Sequence, residues 1–178
     1  LVMLPPNYNE YVKYSKMGHA IYEQFTDIIE PFSIDECWLD VTGTTHLFGS
    51  GKEIADELRR VVKEETGLTI SVGVSYNKIF AKMGSDYKKP DATTVINEEN
   101  FKEILYPLPA GDMFMVGRQT AQKLKNIGVF TIGDIAAVDR NTLKRILGEN
   151  GRALWQSVNG FDYSQVHPFN YREAYKSI

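Results

Sequence analysis

Apolar residues recur every three or four positions from Asn7 to about Phe25. Tyr11, Tyr14, Met17, Ile21 and Phe25 share one face, which predicts a helix. From Phe32 to Val41 the pattern changes to that of a strand. Phe32 and Ile34 share one phase, Cys37, Leu39 and Val41 the other, and the phase slips at Asp35-Glu36. A one-residue slip exchanges the faces of a strand, so the chain is expected to turn or bulge there, with Gly43 closing the strand pair. Ser50 with Glu53 three residues on is a capping box. It opens a helix with the face Ile54, Leu58, Val61 and Val62, and Gly67 stops it. Leu68 to Ser75 alternates as a strand, with Leu68, Ile70, Val72 and Val74 on one side. Asn77 can cap a helix reaching about Tyr87, ahead of Pro90. A short strand at Thr93 to Ile96 and a short helix from Glu98 to Leu105 follow. Strands and helices intermixed in this way predict an α+β first part.

Tyr106-Pro107-Leu108-Pro109-Ala110-Gly111 is the best linker candidate. Beyond it the periodicity is helical throughout: Gln119 to Asn126, Thr131 to Ala137, Arg140 to Leu147, and Asn150 to Asn159, punctuated by glycines. Two domains are therefore expected, 1–106 and 107–178.

Charge supports that division. Residues 1–106 carry 11 Lys+Arg against 17 Asp+Glu, a balance of -6, and residues 107–178 carry 9 against 6, a balance of +3. The total of -3 does not suit a polycation that coats nucleic acid, but the basic second part can do a different job from the acidic first. The single cysteine, Cys37, excludes a disulfide framework and fits a reducing cytoplasm. No apolar run reaches the length of a membrane span, and no signal peptide is visible. The apolar start Leu1-Val2-Met3-Leu4, broken by Pro5-Pro6, reads as the end of a strand that begins earlier, as it would in part of a longer chain.

Three features carry candidate chemistry. Asp35 and Glu36 are adjacent carboxylates inside an apolar segment, costly unless something positive binds them. A divalent cation such as Mg²⁺, which combines a few carboxylates with substrate phosphates, would answer that cost. Two solvated acids on an exposed hairpin turn would satisfy the same pattern. Asp40 lies four positions from Glu36, about 13 Å along an extended strand, and is left out of the metal site. Lys89 precedes Pro90, which biases its backbone towards an extended form; it is either a triphosphate contact or a solvated charge. Met115-Val116-Gly117-Arg118 through Leu124, followed by Gly128 to Ile135, has the pattern of two helices around a glycine hairpin. Backbone N–H groups beside a helix N-terminus hold phosphate without reading a base, and Arg118 and Lys123 would add charge. A side chain on Gly117 would then be expected to block the approach and strain the turn. His19, His46 and His167 show no ligand spacing.

Ser33-Ile34-Asp35-Glu36-Cys37-Trp38-Leu39-Asp40 resembles the catalytic palm motif of Y-family, lesion-bypass DNA polymerases, in the UmuC-like, DNA polymerase IV-like branch. Ser71 to Lys82, with Ser85-Asp86 and Lys89-Pro90, is similar to their next palm block, and Gly117 to Ile135 to their thumb. The resemblance implies a partial palm, a mixed sheet with packed helices, then a small all-α thumb with a helix-hairpin-helix. It implies nucleotidyl transfer to a primer 3′ end opposite damaged template, in DNA repair and the SOS response, with two Mg²⁺ ions that Mn²⁺ can replace. Asp35 and Glu36 would be the catalytic, metal-binding carboxylates, Lys89 the triphosphate contact, and Gly117, Arg118 and Lys123 the DNA contacts. Primer–template DNA and deoxynucleoside triphosphates would be the partners, with a sliding clamp reached through segments outside this sequence. Such hairpins usually carry glycine where Met115 stands. The family's first-strand aspartate and its fingers residues have no counterpart in 1–178, so this stretch by itself is expected to be inactive. A non-catalytic helix-hairpin-helix module and another Mg²⁺-dependent palm enzyme, such as a nucleotide cyclase, are the alternatives.

Overall fold

A computed structural model describes residues 3–168. The chain forms two compact units: one takes the chain up to Ile70 together with the stretch from Gln165, the other is Ser71–Ser164.

The first unit is built on two helices and a hairpin. Helix α1 (Tyr8–Tyr22) starts at Asn7, whose side chain accepts a hydrogen bond from the Glu10 N–H. Strands β1 (Ile29–Pro31) and β2 (Cys37–Leu39) pair antiparallel, with Ile29 opposite Leu39 and Pro31 opposite Cys37. A short 3₁₀ turn at Thr42–Thr44 and helix α2 (Thr45–Phe48) lead to helix α3 (Gly51–Thr66). The Ser50–Glu53 capping box is formed at its start, and Gly67 ends it with φ +72. Ile21 and Phe25 form a buried cluster with Ile54, Leu58 and Val62; of the face predicted for α1, Ile21 is buried, Tyr11 is exposed and Phe25 lies just beyond the helix. Thr26 ties the end of α1 to the end of β2: its hydroxyl donates to the Asp40 carbonyl (2.6 Å) and accepts from the Ile28 N–H (3.1 Å).

In the second unit, β3 (Val72–Ser75), α4 (Lys78–Tyr87) and β4 (Thr93–Ile96) form a parallel strand pair with its crossover helix. The expected strand from Leu68 is shorter than predicted, and Leu68 is exposed. Gly73 explains how closely α4 lies on the sheet. A Cβ at that position would fall 1.8 Å from the Ala81 carbonyl oxygen. Helices α5 (Phe101–Leu105), α6 (Arg118–Lys125), α7 (Ile132–Ala137), α8 (Arg140–Leu147) and α9 (Glu149–Val158) complete the unit.

Phe80, Ile96, Leu105, Met113, Leu124, Ile132, Leu143 and Val158 are all buried in one cluster. Residues on both sides of the expected linker therefore share a core. The linker itself is hydrogen-bonded into place: Ile132 N–H donates to the Leu108 carbonyl (2.9 Å), Gly133 N–H to that of Tyr106 (3.0 Å), and Ala110 N–H to that of Phe130 (2.7 Å). Its prolines and glycine mark a packed turn, including a 3₁₀ turn at Ala110–Asp112, rather than a loose tether. Among the described residues no helix is long and apolar enough to cross a membrane.

Candidate functional site

The acidic pair lies on the loop of the β1–β2 hairpin. Five residues, Phe32 to Glu36, reverse the chain, and the N–H groups of Phe32 and Ser33 both donate to the Glu36 carbonyl, at 2.9 and 3.1 Å. The phase slip in the sequence is thus a turn. Phe32 and Ile34 are loop residues, half or more than a third exposed, and do not line a strand face. The Phe32 ring packs on Trp38 across the loop base, with centroids 5.0 Å apart. Asp35 is exposed at the turn and accepts the Ser33 hydroxyl on Oδ1 at 2.8 Å; Glu36 beside it is half-buried. Ser33 is a support that periodicity did not single out, although a serine two residues before an aspartate is a common turn signal.

Behind the hairpin the environment is apolar. Burial pushes the Cys37 thiol up to about 12. Burial, with the neighbouring Cys37 and Asp35, pushes the Tyr22 phenol up to about 12. Both stay neutral at physiological pH, so Cys37 is an inert core thiol. Asp40 serves the backbone, since its Oδ1 accepts the Thr42 N–H at 2.9 Å. No group of three or more His, Cys, Asp and Glu side chains that could hold a metal ion occurs among the described residues. Asp35 and Glu36 are hard oxygen donors of the kind Mg²⁺ prefers, and Mg²⁺ completes its shell with water and phosphate oxygens. The pair fits such an ion in kind and supplies part of its ligands.

Lys89, in the second unit, follows α4 on a short loop. Its ammonium lies 2.7 Å from Asp86 Oδ1, and the Lys89-Pro90 peptide is cis. Further along, Met115, Val116 and Gly117 form the turn before α6. Met115 has φ +69 and is 84% exposed, so a thioether occupies a conformation that suits glycine. Gly117 is the N-cap residue, with no side-chain cap. Its φ is -80, and a Cβ there would meet nothing within 4 Å. The expectation that a side chain at Gly117 strains the turn is therefore wrong: the left-handed residue is Met115. Arg118 and Lys123 are exposed on α6, as is Lys125.

Comparison with known proteins gives these features a context. The impB/mucB/samB family model matches residues 1–86. DNA polymerase IV of Acetivibrio thermocellus is 51% identical over the whole of this chain, which covers 45% of that relative. DNA polymerase IV 1 of Bacillus subtilis is 41% identical, again over the whole chain and 42% of the relative. The solved structure of a Y-family DNA polymerase chimera superposes with a TM-score of 0.82 at 28% identity, over 92% of this chain and 48% of that one.

The chain is similar to Y-family DNA polymerases in sequence and in fold.

An insertion ternary complex of Dbh DNA polymerase gives a TM-score of 0.83 at 28% identity, over 93% of this chain and 48% of that one. The chain thus spans about half the length of the Y-family relatives it matches.

Proposed function

We propose that this chain is of the Y family and supplies part of the catalytic palm and the thumb of a translesion DNA polymerase, with the functional division near residues 106 and 107. The observation that carries the reading is the β1–β2 hairpin, which presents Asp35 to solvent on a fixed turn with Glu36 beside it. It agrees with the names of the relatives, all of which are DNA polymerases. Neither a stand-alone DNA-binding module nor a nucleotide cyclase accounts for those names.

In this reading Asp35 and Glu36 hold Mg²⁺. When bound, Mg²⁺ supplies charge neutralisation at the attacking and leaving oxygens of an in-line displacement. The hairpin fixes the two carboxylates at neighbouring positions, and the Ser33 hydroxyl restrains Asp35. Lys89 places an ammonium for the triphosphate oxygens of the incoming nucleotide. The N–H groups that open α6 have no intrahelical acceptors, and the positive end of the helix dipole favours a phosphate of the duplex there. Arg118, Lys123 and Lys125 add three positive charges on a helix with no acidic residue. The reading thus has a helix-hairpin-helix holding DNA through phosphates, without reading bases.

The test uses the full-length polymerase. Asp35→Ala and Glu36→Ala are each expected to lower primer extension at least ~100-fold, in line with loss of an electrostatic element of the transition state, with duplex affinity within about twofold. Near-wild-type extension by either variant would return the pair to an ordinary turn.

A further inference from the structure

Asp86, at the end of α4, is clamped between two lysines. Its Oδ2 lies 2.5 Å from Lys82 Nζ, one turn earlier on the helix, and its Oδ1 lies 2.7 Å from Lys89 Nζ on the loop that follows. The lysines differ. The Lys82 side chain is only 15% exposed, whereas that of Lys89 is 56% exposed. Burial raises the Asp86 carboxyl, but the hydrogen bonds from Lys82 and Lys89 outweigh it and hold the group below the usual carboxylate range. The carboxylate is therefore charged at neutral pH and uses one oxygen for each partner.

The charge count matters. A single carboxylate facing one lysine cancels it. Here the one negative charge is divided between two ammonium groups, one on each oxygen. Lys82, fixed within the helix, satisfies Asp86. Lys89, on the exposed side, is oriented by Asp86 but shares that carboxylate with Lys82. A lysine has a flexible four-carbon stem and loses considerable rotamer freedom when it binds an anion. Orienting it beforehand removes part of that cost.

We propose that Asp86 is a positioning residue for Lys89, holding its ammonium ready to meet the triphosphate of the incoming nucleotide while Lys82 takes the other Asp86 oxygen. The inference rests on the reading of Lys89 as the triphosphate contact. An isolated exposed ion pair contributes little to stability, so stability alone would not reveal this role.

The experiment is steady-state single-nucleotide incorporation by the full-length polymerase, with Asp86→Asn, Lys89→Ala, the double variant and Asp86→Glu. Thermal melting of each identifies a temperature at which all are folded. Asp86→Asn is expected to raise KM for the nucleotide about fivefold, with kcat within about twofold and duplex affinity unchanged. In the Lys89→Ala background it should add nothing, because the two residues act as one unit. Asp86→Glu should restore most of the lost KM. An equal KM rise with and without Lys89, or an unchanged KM in Asp86→Asn, overturns the proposal. A KM that falls in Asp86→Asn overturns it too, since it would mean that Asp86 competes with the triphosphate for Lys89. An unchanged KM in Lys89→Ala instead overturns the underlying reading of Lys89.

Discussion

Two residues at the α6 turn separate backbone strain from function. Met115 sits at φ +69, where an L side chain costs about 1–2 kcal/mol, and it is almost fully exposed. Glycine removes that strain but gains freedom in the unfolded chain. Met115→Gly should therefore stabilise the protein by a net ~0.5–1 kcal/mol in denaturant melts; destabilisation would mean that the methionine side chain makes a contact worth more than the strain. Gly117 is the opposite case. Its backbone is open to any residue and nothing crowds its Cβ position. Gly117→Ala should change stability by no more than ~0.5 kcal/mol, as expected for an unstrained surface site. If a phosphate approaches that amide, duplex affinity should nevertheless fall several-fold. A stable variant with unchanged affinity would remove Gly117 from the interface.

The elements depend on caps and on one close contact. In α3 the Ser50 hydroxyl accepts the Glu53 N–H, and the Glu53 carboxylate accepts the Ser50 N–H at 2.7 Å. Ser50→Ala should cost about 1 kcal/mol. The backbone and side-chain bonds from Ser50 hold the Glu53 carboxyl below its ordinary range. A depressed folded pKa adds stability above the unfolded value, and that stability is lost as pH falls through the folded one. The gap between wild type and Ser50→Ala should thus narrow under acid, and a gap that widens below about pH 4 would contradict the capping box. In the second unit, Gly73→Ala forces a methyl into the Ala81 carbonyl of α4. That overpacking should cost about 3 kcal/mol or more and lower the melting temperature clearly. A neutral effect would show that α4 can move off the sheet.

At the scale of the whole chain, the pairing of surface charge and incomplete metal ligation set the expectations. Lys13, Lys52, Arg60, Lys82, Lys89 and Lys144 each have an acidic partner within 4 Å. The α6 turn, with Arg118, Lys123 and Lys125, offers an anionic duplex only a few cations. The chain should bind duplex DNA weakly and without sequence preference, the log of the affinity falling with log salt at a slope of roughly -2 to -4. Anisotropy with two unrelated duplexes at two salt concentrations checks this; a strong preference for one duplex would contradict phosphate recognition. Residues 1–178 alone should not extend a primer with Mg²⁺ or Mn²⁺, because Asp35 and Glu36 find no third ligand group among the described residues. Template-directed incorporation by this stretch would show that two carboxylates suffice.

Local rules were enough wherever a structure is closed by residues near in sequence. The capping box at Ser50, the Asn77 start of α4, the Thr93–Ile96 strand and the limits of α8 could be read from caps, periodicity and glycine stops, since their hydrogen bonds are made within a few residues. The turn at Asp35-Glu36 was visible as a phase slip, and the acidic pair as a costly composition, which the family resemblance then gave a role. Only the tertiary structure decided which strand phases survive. Leu68 and Ile34 keep the right pattern but find no partner strand among the described residues. It alone packed Tyr106 to Gly111 into a core shared by residues far apart in sequence. It also decided how closely α4 lies on the sheet, where Gly73 leaves no room for a side chain because the Ala81 carbonyl of α4 occupies that space.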